Sequence, residues 1–210
     1  ATADGVLVAF HEDHLDRVTD GTGAIADLPY AVVRQARIGG REPIPLLEDL
    51  LEELPESRLN IDVKAPGAIA PLVDLVRRMG AIDRVCLGSF SEQRLHAVRA
   101  ALGPRLATAA GQVGTAQLRF SPTLLLRLVA TPAPVLQIPE THVVAGRTVT
   151  LVTPGLVRRA HRLGKQVHVW TVDTRADIER LLDLGVDGIV TDRIDTLAEV
   201  LAERGVPLSR

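Results

Sequence analysis

Residues 59–64 read Leu59-Asn60-Ile61-Asp62-Val63-Lys64, and the run alternates strictly between apolar and polar side chains. Successive side chains of a strand point to opposite faces. Leu59, Ile61 and Val63 therefore share one face, and Asn60, Asp62 and Lys64 share the other. A strand with one wholly polar face is not simple core. Burying an unpaired carboxylate or ammonium costs roughly several kcal/mol, so these groups must be paired, metal-bound or wet. Two readings stand at this point. One is an Asp62–Lys64 ion pair closing the end of a barrel; the other is a ligand pocket at the C-terminal ends of parallel strands, where barrel enzymes keep their sites.

Further strands are expected at Val6–Phe10, Val85–Phe90, Leu106–Ala110, Val135–Pro139, Gln166–Val172 and Gly188–Thr191. Amphipathic helical patterns separate them. Leu46, Leu47, Leu50, Leu51 and Leu54 form one stripe; other helices should stop at Gly80, Gly164, Gly185 and Gly205, the last starting from Asp195 or Thr196 as N-cap. Strand, helix, strand at this spacing builds parallel sheets. An open doubly wound sheet and an incomplete (β/α)8 barrel both fit, and no Gly-rich phosphate loop supports the first. A full barrel takes about 250 residues, against 210 here. The turn at Asp4-Gly5 feeds a strand as though from another strand upstream. Both observations lead us to expect one domain, 1–210, lacking a first strand–helix–strand unit.

Composition agrees with α/β architecture: 46% of residues are apolar but only 2% aromatic, so the core is aliphatic. A net charge of -2 gives no basic footprint for nucleic acid. Lys64 and Lys165 are the only lysines in an Arg-rich chain. Cys86, the single cysteine, reads as a buried inert thiol. The most apolar stretch, Thr123–Ala130, is interrupted by Arg127 and is far too short for a membrane span.

His11 ends the first strand, and His14 follows in what reads as an exposed loop. A zinc site from His11, Glu12, Asp13 and His14 is disfavoured, because contiguous residues rarely converge on one ion. Gln137, His168, Trp170, Asp173 and Asp192 stand at other strand ends. Trp170 is either core filler or a stacking wall for a ligand. No Ser-His-Asp or Cys-His arrangement emerges.

Taken together, DGVLVAFHEDHLDRVTDGTG, EPIPLLEDLL, LNIDVK, VCLGSFSEQRL, VHVWTVDT and LGVDGIVTDRID resemble, in order and spacing, the glycerophosphodiester phosphodiesterase family. The resemblance implies a TIM (β/α)8 barrel of the phospholipase-C-like phosphodiesterase type. It implies hydrolysis of glycerophosphodiesters to glycerol 3-phosphate and an alcohol, with Mg or Ca as divalent metal. The glycerol hydroxyl next to the phosphate would attack, through a cyclic phosphate. Carried onto this chain, His11 is one of two catalytic histidines, Asp62 a metal ligand, and Lys64 the catalytic and phosphate-binding cation. Gln137 and Trp170 would line the substrate pocket. Two departures stand out: Glu12 follows the histidine where Asp is usual, and Asp62 replaces the commoner Glu.

The His-Arg motif of the family's first strand and the Glu-x-Asp pair of its second are missing from this chain. The 210 residues alone are therefore expected to be inactive and poorly soluble, and the protein with those motifs restored to be active. A non-catalytic phosphodiester-binding barrel is the main alternative, followed by a phosphodiesterase acting on phospholipid head groups. The implied partner is a small-molecule glycerophosphodiester rather than nucleic acid, with no transmembrane segment. A cytoplasmic location is favoured, although a signal peptide upstream would change that.

Overall fold

A computed structural model describes residues 1–121, 131–144 and 146–206. The stretch Thr123–Ala130, with Arg127, lies outside the described residues. The chain divides into two compact units, Ala1–Ala107 and Thr108–Arg210.

The first unit opens on a loop that Thr2 closes. The Thr2 amide donates to Val6 O and Gly5 N donates to Thr2 O, both at 2.9 Å. Gly5 has φ +82°, a left-handed conformation that a side chain disfavours. Asp4 Oδ1 accepts from Thr2 Oγ1 at 2.5 Å and from the Tyr30 amide at 2.9 Å. Thr2 thus closes the turn that Asp4-Gly5 makes. The strand expected at Val6–Phe10 is reduced. Only Val8 forms a bridge, antiparallel to Leu46, flanked by hydrogen bonds from Ala9 N to Pro45 O and from Leu47 N to Leu7 O. Without a longer ladder on that side, the segment does not become a regular strand.

After a short helix α1 (Tyr30–Val33) and a small antiparallel pair, β1 (Arg37–Ile38) with β2 (Glu42–Pro43), comes helix α2 (Leu47–Glu53). Leu47 and Leu51 of its stripe are buried, but Leu54 is exposed, because the helix has ended there. Strand β3 (Leu59–Asp62), helix α3 (Ile69–Arg78), strand β4 (Val85–Gly88) and helix α4 (Glu92–Leu102) follow, then strand β5 (Ala107–Thr108). The sheet order is β3-β4-β5. β3 and β4 run parallel, with Asn60 opposite Cys86 and Asp62 opposite Gly88. Leu72, Leu75 and Val76 of α3 pack with Val85 and Leu87 of β4 and with Val63 in one aliphatic core. β4 stops at Gly88, so Phe90 belongs to the following loop and is 57% exposed.

In the second unit, Ala109 bridges Val135 in parallel. Helix α5 (Gln112–Phe120) leads on, and β6 (Val135–Pro139), β9 (Gln166–Trp170) and β10 (Gly188–Ile189) form a parallel sheet in the order β10-β9-β6. Between β6 and β9 lie an antiparallel hairpin, β7 (Thr141–Val144) with β8 (Arg147–Thr150), and helix α6 (Pro154–Arg162). That hairpin was not foreseen. Helices α7 (Arg175–Asp183) and α8 (Ile194–Glu203) complete the alternation. Thr153 and Thr174 cap α6 and α7 by accepting from Leu156 N and Asp177 N. α8 begins one residue before the expected caps, Asp195 and Thr196; Arg193 holds the N-cap position with no side-chain cap bond. Lys165 is buried and donates to the carbonyls of Thr131 and Ala133, each at 2.6 Å, so the second lysine is a structural tie.

Candidate active site

Residues 59–64, with β3 at Leu59–Asp62, run along a cavity of about 330 Å³ in the first unit. Leu7, Phe10, Leu47 and Leu72 supply apolar wall together with Leu59, Ile61 and Val63, and Asn60, Asp62 and Lys64 add polar groups to the lining. Lys64 Nζ lies 2.7 Å from Asp62 Oδ2, with the side chains 38% and 33% exposed. The two readings of the strand are therefore compatible: the ion pair exists, and it sits in the wall of a cavity. Such a pair is wet enough to avoid the penalty of a buried charge and remains open to a third charged group.

The backbone from which Lys64 departs is fastened by residues the sequence reading passed over. Val63 N donates to Gly88 O at 2.8 Å. Ser89 Oγ donates to Val63 O at 2.9 Å and accepts from Arg94 Nε at 2.8 Å. A serine directly after an apolar strand was the available signal.

Phe10, Glu12 and Asp13 line the same cavity. His11 stands between them without belonging to the lining, and its side chain is 78% exposed. Its Nδ1 is 2.7 Å from Glu12 Oε1. Arg17 also donates to that carboxylate. These bonds, Arg17's first and His11's second, hold the Glu12 carboxyl down at about 2. His14 is exposed, as expected, and hydrogen-bonds Asp13 at 3.1 Å, which raises its pKa.

In the second unit, parallel register sets Gln137 beside His168 and Pro139 beside Trp170. Gln137, His168 and Trp170 thus share one sheet face, with Trp170 one row beyond Gln137 toward the strand end. Both Gln137 and Trp170 are half-buried. His168 lies over Gly188, where an added Cβ would meet its Cδ2 at 2.6 Å. Desolvation lowers the His168 pKa, favouring the neutral ring. Asp173 Oδ1 accepts from Thr191 Oγ1 and from the Asp192 amide, both at 2.9 Å, so the Asp173 carboxylate ties this loop together.

The sequence model of the glycerophosphoryl diester phosphodiesterase family matches residues 1–196. The chain belongs to that family. It is 41% identical to "Probable glycerophosphodiester phosphodiesterase 2" of Mycobacterium tuberculosis over 210 residues, 98% of this chain and 78% of the relative. A glycerophosphodiester phosphodiesterase structure from Agrobacterium tumefaciens superposes with TM-score 0.75 at 25% identity, covering 96% of this chain and 83% of that one. A phosphodiesterase from Oleispira antarctica, solved with its product sn-glycerol-3-phosphate, has the same fold at TM-score 0.78 and 22% identity, over 96% of this chain and 81% of that one.

For this glycerophosphodiester phosphodiesterase family member, the donor set for a divalent ion can be tested against the geometry. Asp62 is engaged by Lys64, Glu12 by Arg17 and His11, and Asp13 by His14. Among the described residues no three His, Cys, Asp or Glu side chains come together as a metal site. Mg and Ca usually take several oxygen ligands. The described side chains do not by themselves fit such an ion. No helix among the described residues is long and apolar enough to cross a membrane.

Proposed function

We propose that the protein hydrolyses glycerophosphodiesters to sn-glycerol 3-phosphate and an alcohol, on the (β/α)8 frame its family resemblance implies, with residues 1–210 forming part of that single domain. The observation that carries this reading is the Lys64–Asp62 pair in the wall of the cavity, at the end of β3. A phosphodiester is an anion that repels nucleophiles, so a fixed positive charge must meet its oxygens as charge builds in the transition state. Lys64 supplies that charge. Asp62 holds the ammonium in place; its assignment as a ligand for Mg or Ca rests on the family resemblance alone. His11 moves a proton to or from the reacting oxygens, the role for which imidazole suits neutral pH. Gln137 and Trp170 are assigned to the substrate on the family resemblance alone, supported within their own sheet by the face they share.

The test is turnover of glycerophosphocholine by the full-length protein with added Mg or Ca, followed by phosphorus NMR. Formation of glycerol 3-phosphate, abolished by EDTA, is expected. Phosphocholine as the product overturns the reading in favour of a head-group phosphodiesterase. Binding without turnover overturns it in favour of a non-catalytic phosphodiester-binding protein.

A further inference from the structure

His11 presents a problem that the proposed chemistry does not solve by itself. An imidazole this exposed is free to turn, and in water its single neutral proton exchanges between the two ring nitrogens. A general acid or base must offer one defined nitrogen to the substrate. Something must therefore decide which nitrogen of His11 carries the proton.

The structure supplies a partner. Glu12 Oε1 lies 2.7 Å from His11 Nδ1, and Arg17 donates to the same oxygen. An ionised carboxylate accepts hydrogen bonds and cannot donate them. Glu12 is ionised at any pH near neutral, because Arg17, with His11 second, holds its carboxyl at about 2. The proton shared with His11 therefore resides on Nδ1, and Nε2 is left as the nitrogen available to a ligand. Glu12 is also much less exposed than its partners, 22% against 78% for His11 and 67% for Arg17, and it lines the cavity. The carboxylate is thus the anchored member of the trio. The mobile ring is tied to it on one side and the guanidinium on the other.

We propose that Glu12, braced by Arg17, is a positioning residue that fixes the His11 ring with its proton on Nδ1 and reserves Nε2 for the phosphodiester. The inference rests on the reading of His11 as an acid–base group. A carboxylate that orients a histidine and sets its tautomer is a general device of acid–base sites.

The experiment combines nitrogen NMR of the His11 ring with steady-state kinetics on glycerophosphocholine, both on the full-length protein. The wild-type ring is expected as the Nδ1–H tautomer. Glu12→Ala should shift it to the Nε2–H form and lower kcat by about tenfold or more, with KM within roughly threefold. Glu12→Asp, which keeps the carboxylate, should restore both readouts. Should Glu12→Ala fail to fold, Glu12→Leu, which removes the carboxylate but keeps side-chain bulk, tests the same link and should change the tautomer and kcat together. Arg105→Gln, which breaks an exposed ion pair to Asp83 elsewhere, should change neither. An unaltered tautomer with reduced kcat overturns the proposal while leaving the His11 reading intact, and places Glu12 in direct contact with the reaction. An altered tautomer with unchanged kcat overturns it through His11, which would then not be an acid–base group.

Discussion

Replacing Lys64 by Met separates a catalytic cation from a structural one, because the structure sets the two costs far apart. Lys64 Nζ and Asp62 Oδ2 are 2.7 Å apart, on side chains 38% and 33% exposed. At that separation the attraction in bulk water is about 1.5 kcal/mol. Salt screening and the entropy of holding a long side chain bring the net value of such a pair down to about 0–1 kcal/mol. In a protein of this size about 1 kcal/mol moves Tm by roughly 2–4 °C, and Met preserves most of the aliphatic stem that Lys64 lays along the wall. By contrast, withdrawing one fixed positive group from the charge developing on a transferring phosphoryl group costs about a hundred- to a thousandfold in rate. Lys64→Met is therefore expected to lower kcat/KM for glycerophosphocholine by about two to three orders of magnitude while shifting Tm by no more than about 4 °C. Differential scanning calorimetry and an assay of released choline measure both. A variant that loses several kcal/mol of stability, or that folds normally and turns over at the wild-type rate, refutes the assignment of Lys64 to the phosphate.

Gly188→Ala places a Cβ 2.6 Å from Cδ2 and 2.9 Å from Cγ of His168. Overpacking of this kind costs about 1–3 kcal/mol, so urea unfolding should show a lower midpoint, and an unchanged midpoint would mean that His168 does not lie over the glycine. Burial pushes the Cys86 thiol up to about 11. Its thiolate fraction at pH 8 is then about two orders of magnitude below that of a free cysteine, and alkylation by iodoacetamide should be slower by a similar factor. The folded Glu12 carboxyl, at about 2, lies below its ordinary 4.5. Its contribution to stability is therefore fully present above about pH 4.5 and lost as pH falls through about 2. Denaturant unfolding between pH 5 and pH 2 should show a shallower fall in stability for Glu12→Gln than for the wild type.

Much of this was legible in the sequence wherever one face of an element differs in chemistry from the other. β3 announced itself by strict alternation, and the sheets order their strands by the same βαβ spacing that predicted them. Helix ends at glycine were equally plain. Val6–Phe10 was harder, because strand formation depends on a neighbour to pair with, and alternation alone does not reveal whether one is present. The β7–β8 hairpin escaped notice because apolar and polar residues mix on its faces, Val143 opposite Thr148 and Val149 opposite His142. Within the site, Asp62 and Lys64 were visible as charges with no place in a core. The bracing by Ser89, Arg94 and Arg17 was not, because each acts through a partner brought near only by the fold or by a loop. Leu54 and Phe90 fit an apolar pattern yet lie just past the elements they were assigned to, where burial ends with the hydrogen-bonded structure.

The measurement closest to the central claim is single-turnover cleavage of glycerophosphocholine by the full-length protein and its His11→Ala variant, at saturating enzyme with Mg or Ca. The account predicts glycerol 3-phosphate from the wild type and a rate about 10²–10⁴ lower in the variant, with the ester still bound. Equal rates in the two proteins would contradict it.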